Sequence, residues 1–216
     1  MRLTRSGVEV GSAEVSASRR IPLRPLVGNG GLADARWRPI MGGMSRLRRL
    51  VVSDRWFFVT CRVLPGRRHL IDSEFACLAH VIHERRETHG FLLSAWVFLP
   101  DHWHAILYPA HPLTISRVVE SIKDAATKRI NRSRREVGRL FQPRFFDRAL
   151  RTVKEYNERV QYIHLNPVKA GLVTRPEDWP WSSVHDYVSS VNRAPIPPSG
   201  LSIDRVLLPA DERIRI

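Results

Sequence analysis

The sequence predicts an α+β fold of the ferredoxin-like, split βαβ type, with one extra helix at its C-terminal end. Two observations support this prediction. Segments of strand and helix character follow one another in the order β-α-β-β-α-β-α, which matches an antiparallel sheet with two helices on one face. The chain has 216 residues, of which 43% are apolar, and this is sufficient for one packed domain with tails.

The first three predicted elements are a strand, a helix and a second strand. Residues 56–63 are mostly β-branched or aromatic, which is typical of a strand. Asp72 or Ser73 is expected to cap a helix that extends to about His89. Residues 91–99 are almost entirely apolar and predict the second strand.

Four elements remain. They are a third strand over residues 102–108, a long helix over 113–135, a short fourth strand over 145–150 and a last helix over 152–166. Pro100-Asp101 makes a tight connection, so the second and third strands are expected to form a hairpin. Thr152 is expected to cap the last helix. Pro167 is expected to end that helix after Asn166, because proline cannot continue the hydrogen bonding of a helix.

The charge of the chain indicates its class of partner. Lys and Arg number 35 and Asp and Glu number 21, which gives a net charge of +14 and favours nucleic acid as the partner. No apolar run reaches the roughly 18 residues of a membrane span, and no secretory signal is evident. Cys61 and Cys77 form no CxxC pair, so neither a disulfide framework nor a cysteine zinc site is expected. We expect a cytoplasmic, nucleoid-associated protein that does not bind membranes.

The composition divides the chain into three parts. Residues 1–45 are rich in Gly, Pro and Arg and poor in apolar periodicity, so we expect a disordered basic arm. This arm either binds DNA or reflects a gene start placed too early, with initiation at Met41 or Met44. Residues 46–174 are expected to form the catalytic domain. Residues 175–216 form a C-terminal extension, in which Trp179 and Trp181 either stack on unpaired bases or, as we favour, pack on the core.

The first pair of candidate site residues lies on the predicted third strand. His102 and His104 are separated by one residue, so both side chains project from the same face, about 6.6 Å apart along the strand. Two imidazoles in this arrangement can hold one metal ion. The alternative is that they are ordinary polar residues of a strand.

The second pair lies on the predicted last helix. Tyr162 and Asn166 are four residues apart and therefore share one face of that helix. A tyrosine hydroxyl can act as a nucleophile, and an asparagine oxygen can bind a hard cation. The alternative is a packed tyrosine and an asparagine that ends its helix. Tyr156 is the rival nucleophile. His164 is expected to face DNA or solvent, and the alternative is a role as a fourth metal ligand.

Together the two pairs predict a metal-assisted attack on a phosphodiester. Two imidazoles and one amide oxygen leave open positions on a divalent ion, which can then orient a phosphoryl oxygen. A further set of basic residues is expected to contact DNA, although a solvated surface is the alternative. This set comprises Lys123, Lys128, Arg129, Arg132, Arg144 and Lys169.

Several ordered segments resemble one known family. Residues 99–107 resemble the "PxHxH" segment of HUH single-strand DNA transposases of the IS200-like superfamily. Residues 162–173 resemble the signature of the REP-associated tyrosine transposases, and residues 141–147 and 176–183 resemble the segments on either side of it. The resemblance covers residues 46–190 and implies the ferredoxin-like fold.

This resemblance implies an enzyme that cuts and rejoins single-stranded DNA at the hairpins of repetitive extragenic palindromes. It implies that His102, His104 and Asn166 hold Mg²⁺ or Mn²⁺, and that Tyr162 is the nucleophile. The product would be a 5′-phosphotyrosine and a free 3′-OH. A monomer is favoured over a homodimer. The alternative function is a hairpin-binding protein of the same fold, for DNA or RNA, that has no useful turnover.

Overall fold

A computed structural model of the chain describes residues 54–187 and 200–206. Its elements follow the predicted order, with two short helical segments at the end. They are β1 (Phe57–Arg62), α1 (Asp72–His89), β2 (Leu92–Phe98), β3 (His102–Tyr108), α2 (Ile115–Arg134), β4 (Phe146–Ala149), α3 (Val153–Lys169), a 3₁₀ turn (Pro176–Asp178) and α4 (Val184–Tyr187). The arm predicted for residues 1–45 lies outside the described residues.

The four strands form one antiparallel sheet in the order β2-β3-β1-β4. This order confirms the ferredoxin-like, split βαβ fold, in which each crossover helix connects strands that are not neighbours. β2 and β3 form the predicted hairpin, and β1 lies in the middle of the sheet. None of the described helices has both the length and the apolar character needed to cross a membrane.

The two faces of the sheet have different partners because alternate residues of a strand point to opposite sides. Phe57, Val59 and Cys61 of β1 pack with α1 and α2 in the larger apolar cluster. Phe58 belongs to a second cluster on the other face, where α3 packs. The side chains of α3 in that cluster recur at helical spacing and are Tyr156, Val160 and Ile163. The extra helix therefore covers the sheet face that α1 and α2 leave open.

The start of α1 corrects one predicted cap. The N-cap position is held by Ile71 and not by Asp72 or Ser73, so the helix begins one or two residues earlier than expected. The reason is Glu74, whose carboxylate accepts a hydrogen bond from the backbone N–H of Ile71 at 3.1 Å. A polar cap residue is not needed, because the N–H of Glu74, which such a side chain would bind, donates to the carbonyl of Ile71 at 2.8 Å.

The end of α3 corrects a second prediction. The helix continues through Pro167 to Lys169 and does not end at Asn166. Proline removes its own N–H donor and its ring crowds the preceding turn, but the next turn still forms, since the N–H of Ala170 donates to the carbonyl of Asn166 at 2.9 Å. The N-cap prediction is confirmed, since the Thr152 hydroxyl accepts from the N–H of Glu155 at 3.1 Å.

The segment after α3 closes the outer edge of β2. The N–H of Phe98 donates to the carbonyl of Trp181 at 3.0 Å, and the N–H of Ser183 donates to the carbonyl of Trp96 at 2.9 Å. Trp181 is buried, and the indole N–H of Trp179 donates to the carbonyl of Phe98 at 2.9 Å. These contacts confirm that the two tryptophans pack on the core.

Candidate active site

The two predicted histidines lie on the sheet face that α3 covers. In the antiparallel register of β1 and β3, His104 is opposite Thr60 and His102 is opposite Arg62. Trp103, between the two histidines, points into the larger apolar cluster on the other face. The alternation of the strand therefore separates one apolar residue from two polar ones, as predicted.

Three side chains converge at Nε2 of His104. Nε2 of His102 lies 3.1 Å from it, and the amide Nδ2 of Asn166 also lies 3.1 Å from it. The two ends of an asparagine amide are interchangeable in assignment, so a half-turn of this group places Oδ1 at the same point. The sequence pairs on β3 and α3 thus meet across the second apolar cluster.

Two further residues orient the imidazoles. Oδ1 of Asp101 accepts a hydrogen bond from Nδ1 of His102 at 2.6 Å. Burial is the largest single effect and acts to raise the pKa of Asp101, but the hydrogen bond from His102, together with the charges of His102 and Arg62 and a backbone hydrogen bond, holds the pKa below its ordinary value. Oγ1 of Thr60 lies 2.8 Å from Nδ1 of His104. When each Nδ1 carries the proton, both Nε2 lone pairs face the same point.

Sequence reasoning missed Thr60 and Asp101 as supports of the site. Asp101 directly precedes His102, and a carboxylate beside a candidate ligand is a signal that could have been used. Thr60 has no such signal, because only the register of β1 against β3 brings it to His104.

The arrangement fits a small divalent cation. His104 is 3% exposed, and burial, followed by the charge of His102, lowers its pKa to about 3, so its imidazole is neutral as a ligand must be. Neighbouring ligands of an octahedral ion at about 2.1 Å lie about 3 Å apart, which is close to both observed separations. No group of three or more His, Cys, Asp or Glu in the described part of the chain is arranged to hold a metal. The third member of the present group is an amide.

Tyr162 lies beside this group with its ring half-buried. Its centroid is 5.3 Å from the ring of His104 and 5.7 Å from the ring of Phe58. Nζ of Lys169 is 5.0 Å from that centroid, and the guanidinium carbon of Arg159 is 5.8 Å from it. A phenol between two cations can receive an anionic substrate such as a phosphodiester.

The other two candidates on α3 are buried away from this point. Tyr156 is 2% exposed, and burial raises its pKa, so its hydroxyl does not reach solvent as a nucleophile. The expectation that His164 faces DNA or solvent is wrong. His164 is buried against the C-terminal segment, with Nε2 3.0 Å from Oγ of Ser183.

Four of the six predicted DNA contacts divide between two surfaces. Lys169 joins the site beside Tyr162. Lys128, Arg129 and Arg132 are on α2, which packs on the opposite face of the sheet, and line a cavity of about 300 Å³ together with Arg85. Among them, Arg129 forms an ion pair with Glu84.

The last two predicted contacts lie near the start of β4. Nζ of Lys123 donates to the backbone carbonyls of Gln142 and Pro143 at 2.6 and 3.0 Å. It therefore fixes the segment that leads into β4. Arg144, in the same segment, is exposed.

The two buried histidines predict a loss of stability in acid. Burial, followed by the charge of His185, lowers the pKa of His164 to about 4, and the pKa of His104 is about 3, against 6.5 ordinarily. The unfolded chain therefore binds protons that the folded chain does not. The stabilisation is complete above about pH 6.5 and is lost as the pH falls, by at most about 1.4 kcal/mol per pH unit for each histidine.

His164→Gln should weaken this dependence. The measurement is the free energy of unfolding in urea at about pH 7 and about pH 4.5, for wild type and variant. His83→Gln, at an exposed position on α1, is the control and should leave the difference unchanged. An equal pH dependence in wild type and His164→Gln would contradict the prediction.

Comparison with known proteins gives concordant results. The family described as "Transposase IS200 like" matches residues 62–166. The REP-associated tyrosine transposase of Escherichia coli K12 is 33% identical over 147 residues, which cover 68% of this chain and 86% of that relative. A Haemophilus influenzae protein assigned to the same group is 29% identical over 157 residues, covering 68% of this chain and 89% of the relative.

One solved structure is similar over most of the chain. It is a REP-associated tyrosine transposase bound to a REP hairpin, and it matches with a TM-score of 0.61 and 31% identity. The match covers 80% of this chain and 99% of that chain.

Proposed function

The chain belongs to the REP-associated tyrosine transposases, within the IS200-like transposases, and on that premise we propose that it cuts and rejoins single-stranded DNA at hairpins through a covalent bond to Tyr162. The substrate is the hairpin of a repetitive extragenic palindrome with a single-stranded flank. The similar solved structure holds a REP hairpin, which supports this class of substrate.

The observation that carries the proposal is the convergence of four side chains from distant parts of the sequence. His102 and His104 lie about sixty residues before Asn166, yet Nε2 of His104 is 3.1 Å from both neighbours. The ring of Tyr162 contacts the ring of His104 at the same place. A nucleophile and a group of cation ligands on one surface are the parts that phosphoryl transfer to a protein requires.

The reaction exchanges one phosphodiester for another. The hydroxyl oxygen of Tyr162 attacks the scissile phosphorus, and a bond forms between that oxygen and phosphorus while the bond from phosphorus to the 3′-oxygen breaks. The phenolic proton is released, and the leaving oxygen takes up a proton to become a 3′-OH. The DNA downstream of the cut then remains on Tyr162 by its 5′-phosphate. The same 3′-OH, or another one, reverses the step without ATP.

His102, His104 and Asn166 would hold Mg²⁺ or Mn²⁺ in this reaction. The ion would polarise a non-bridging oxygen of the scissile phosphate and neutralise its charge. Asp101 and Thr60 keep the two Nε2 atoms directed toward the substrate side. Lys169 and Arg159 flank Tyr162 and favour the approach of an anionic backbone.

The test of this proposal is the polarity of the covalent product. Hairpin oligonucleotides of the repetitive extragenic palindrome class, each with a single-stranded flank and a label at either end, are incubated with the protein and Mg²⁺. We expect the 3′-labelled part to migrate with the protein on a denaturing gel and the 5′-labelled part to be released. Transfer of the 5′ label to the protein, or cleavage without any covalent product, would contradict the mechanism.

Binding should depend steeply on salt and should favour a hairpin with a single-stranded flank over a blunt duplex. Each cationic side chain that contacts a phosphate releases counterions, and six such contacts give a log–log slope of about −4 on single strands. Affinity is measured by fluorescence anisotropy over a series of NaCl concentrations. Lys128→Gln and Lys169→Gln test the two surfaces separately, and each contact that is lost should make the slope shallower by about 0.7.

Two results would contradict this interpretation of the surface. One is a salt response that is flat for the wild-type protein. The other is equal affinity for the flanked hairpin and for a blunt duplex of the same sequence.

A further inference from the structure

One large apolar side chain beside the site is left open to solvent. Phe146 on β4 is 53% exposed, although burial of a phenylalanine contributes about 2–3 kcal/mol to stability. It lies opposite Thr60 in the register of β1 and β4, and Thr60 is opposite His104 in the next pair of strands. Residues opposite each other share a face, so Phe146 lies on the face of the candidate site.

A single ring connects Phe146 to the nucleophile. The ring of Phe58 is 6.2 Å from that of Phe146, with an angle of 66° between the planes, and 5.7 Å from that of Tyr162, with an angle of 82°. Phe58 is buried and stacks on His104 at 5.3 Å. The exposed face of Phe146 is therefore held at a fixed place next to Tyr162 by a buried neighbour.

The guanidinium group of Arg159 lies over two of these rings, those of Phe58 and Tyr162. The guanidinium carbon of Arg159 is 5.2 Å from the centroid of Phe58 and 5.8 Å from that of Tyr162. Arg159 is one turn before Tyr162 on α3, which places both on one stripe of the helix. Within the described ranges 54–187 and 200–206, Arg159 has no carboxylate at ion-pairing distance. Its charge is available for an anion.

We propose that Phe146 and Arg159 bind a nucleotide next to the scissile phosphate of single-stranded DNA, with the base stacked on Phe146 and the backbone phosphate on Arg159. This inference rests on the proposed function, which brings such a strand to Tyr162. An exposed aromatic ring offers a face to any unpaired base, whereas bases in a duplex have their faces covered. The adjacent guanidinium matches the charge of the backbone. The pair thus selects unpaired DNA and sets the position of the phosphate relative to Tyr162.

The experiment separates stacking from charge. Tyr162→Phe protein, in which the nucleophile is absent, is titrated with a thymidine oligonucleotide and with an abasic oligonucleotide of equal length. When Phe146→Ala is introduced into the Tyr162→Phe protein, binding of the thymidine strand should weaken about tenfold and binding of the abasic strand should stay unchanged. Adding Arg159→Gln should weaken binding of both strands and make the salt slope shallower by about 0.7.

Matched variants control for indirect effects. Phe146→Trp keeps a stacking surface and should retain the affinity for the thymidine strand. Val137→Ala, at an apolar position that is 89% exposed in the connection after α2, should change neither affinity. Thermal melting of each variant checks folding. An equal loss of affinity for the thymidine and abasic strands in Phe146→Ala would overturn the inference. So would an unchanged affinity for both strands.

A kinetic measurement separates this inference from the proposed function. In protein that retains Tyr162, Phe146→Ala should raise KM for the flanked hairpin more than it lowers kcat, since stacking binds the substrate before the reaction. If wild-type protein forms no covalent product while the difference between thymidine and abasic strands persists, the proposed function fails and the binding site stands. If cleavage occurs and Phe146→Ala has wild-type KM, the proposed function stands and the binding site fails.

Discussion

Tyr162→Phe should abolish formation of the covalent protein–DNA product and leave binding of the hairpin nearly unchanged. The substitution removes only the hydroxyl, so the ring keeps its contacts with His104, Phe58 and Lys169. Loss of a nucleophile that acts covalently lowers the rate by at least about 10⁴-fold. The rate is measured as transfer of the 3′ label to the protein, and affinity is measured by anisotropy with the same oligonucleotide.

Tyr156→Phe is the matched control on the same helix. Tyr156 has the same side chain but is buried in the second apolar cluster. Its loss should reduce the free energy of unfolding by about 1 kcal/mol, because a buried hydroxyl loses its hydrogen bonding, and should preserve cleavage. Covalent product in Tyr162→Phe together with its loss in Tyr156→Phe would transfer the role to the rival residue and contradict the arrangement proposed for the site.

The sequence predicts the fold well because the signals for its elements are local. A continuous apolar run marks β2, the turn at Pro100-Asp101 separates it from β3, and Thr152 marks the start of α3. A strand of period two also fixes which residues share a face, so the spacing of His102 and His104 is enough to assign both to one side of the sheet. The i, i+4 spacing of Tyr162 and Asn166 has the same local origin.

The features that sequence patterns miss depend on contacts between distant segments. The burial of His164 cannot be predicted from the pattern of its own helix, because the segment that covers it contains Ser183, nineteen residues later in the chain. The support that Thr60 gives to His104 comes from strand register, which local patterns do not specify. Pro167 is the reverse case, in which a local signal predicts a helix end that does not occur. The local cost of one proline is too small to end a helix that is packed on a sheet.

The basic residues show why charge in a sequence predicts a partner better than it predicts a surface. Composition and spacing assign Lys128 and Lys169 to the same set of DNA contacts. The fold places Lys169 beside Tyr162 and Lys128 on α2, which packs on the opposite face of the sheet. Net charge does not depend on this division, whereas the path of a bound strand does. Separate substitutions on the two faces are therefore more informative than a combined one.

The second large effect is expected from loss of the divalent ion or of one imidazole. Cleavage should stop in excess EDTA and return with Mg²⁺ or Mn²⁺. His104→Ala should lower activity by more than about 100-fold, because His104 is the member of the group within 3.1 Å of both others and loss of a ligand costs more than loss of an outer hydrogen-bond partner. His80→Ala, at an exposed position on α1, is the control and should retain wild-type activity.

Binding of Mn²⁺ itself gives a readout that does not depend on cleavage. Free Mn²⁺ is followed by its paramagnetic resonance during titration of wild type, His104→Ala and Asn166→Ala, without DNA. We expect weaker binding in both variants, with the larger loss for His104→Ala, since Nε2 of His104 lies within 3.1 Å of both other side chains of the group. Cleavage that survives EDTA, or Mn²⁺ binding that is equal in all three proteins, would show that these side chains do not form a metal site. The convergence of His102, His104 and Asn166 would then serve only to position Tyr162.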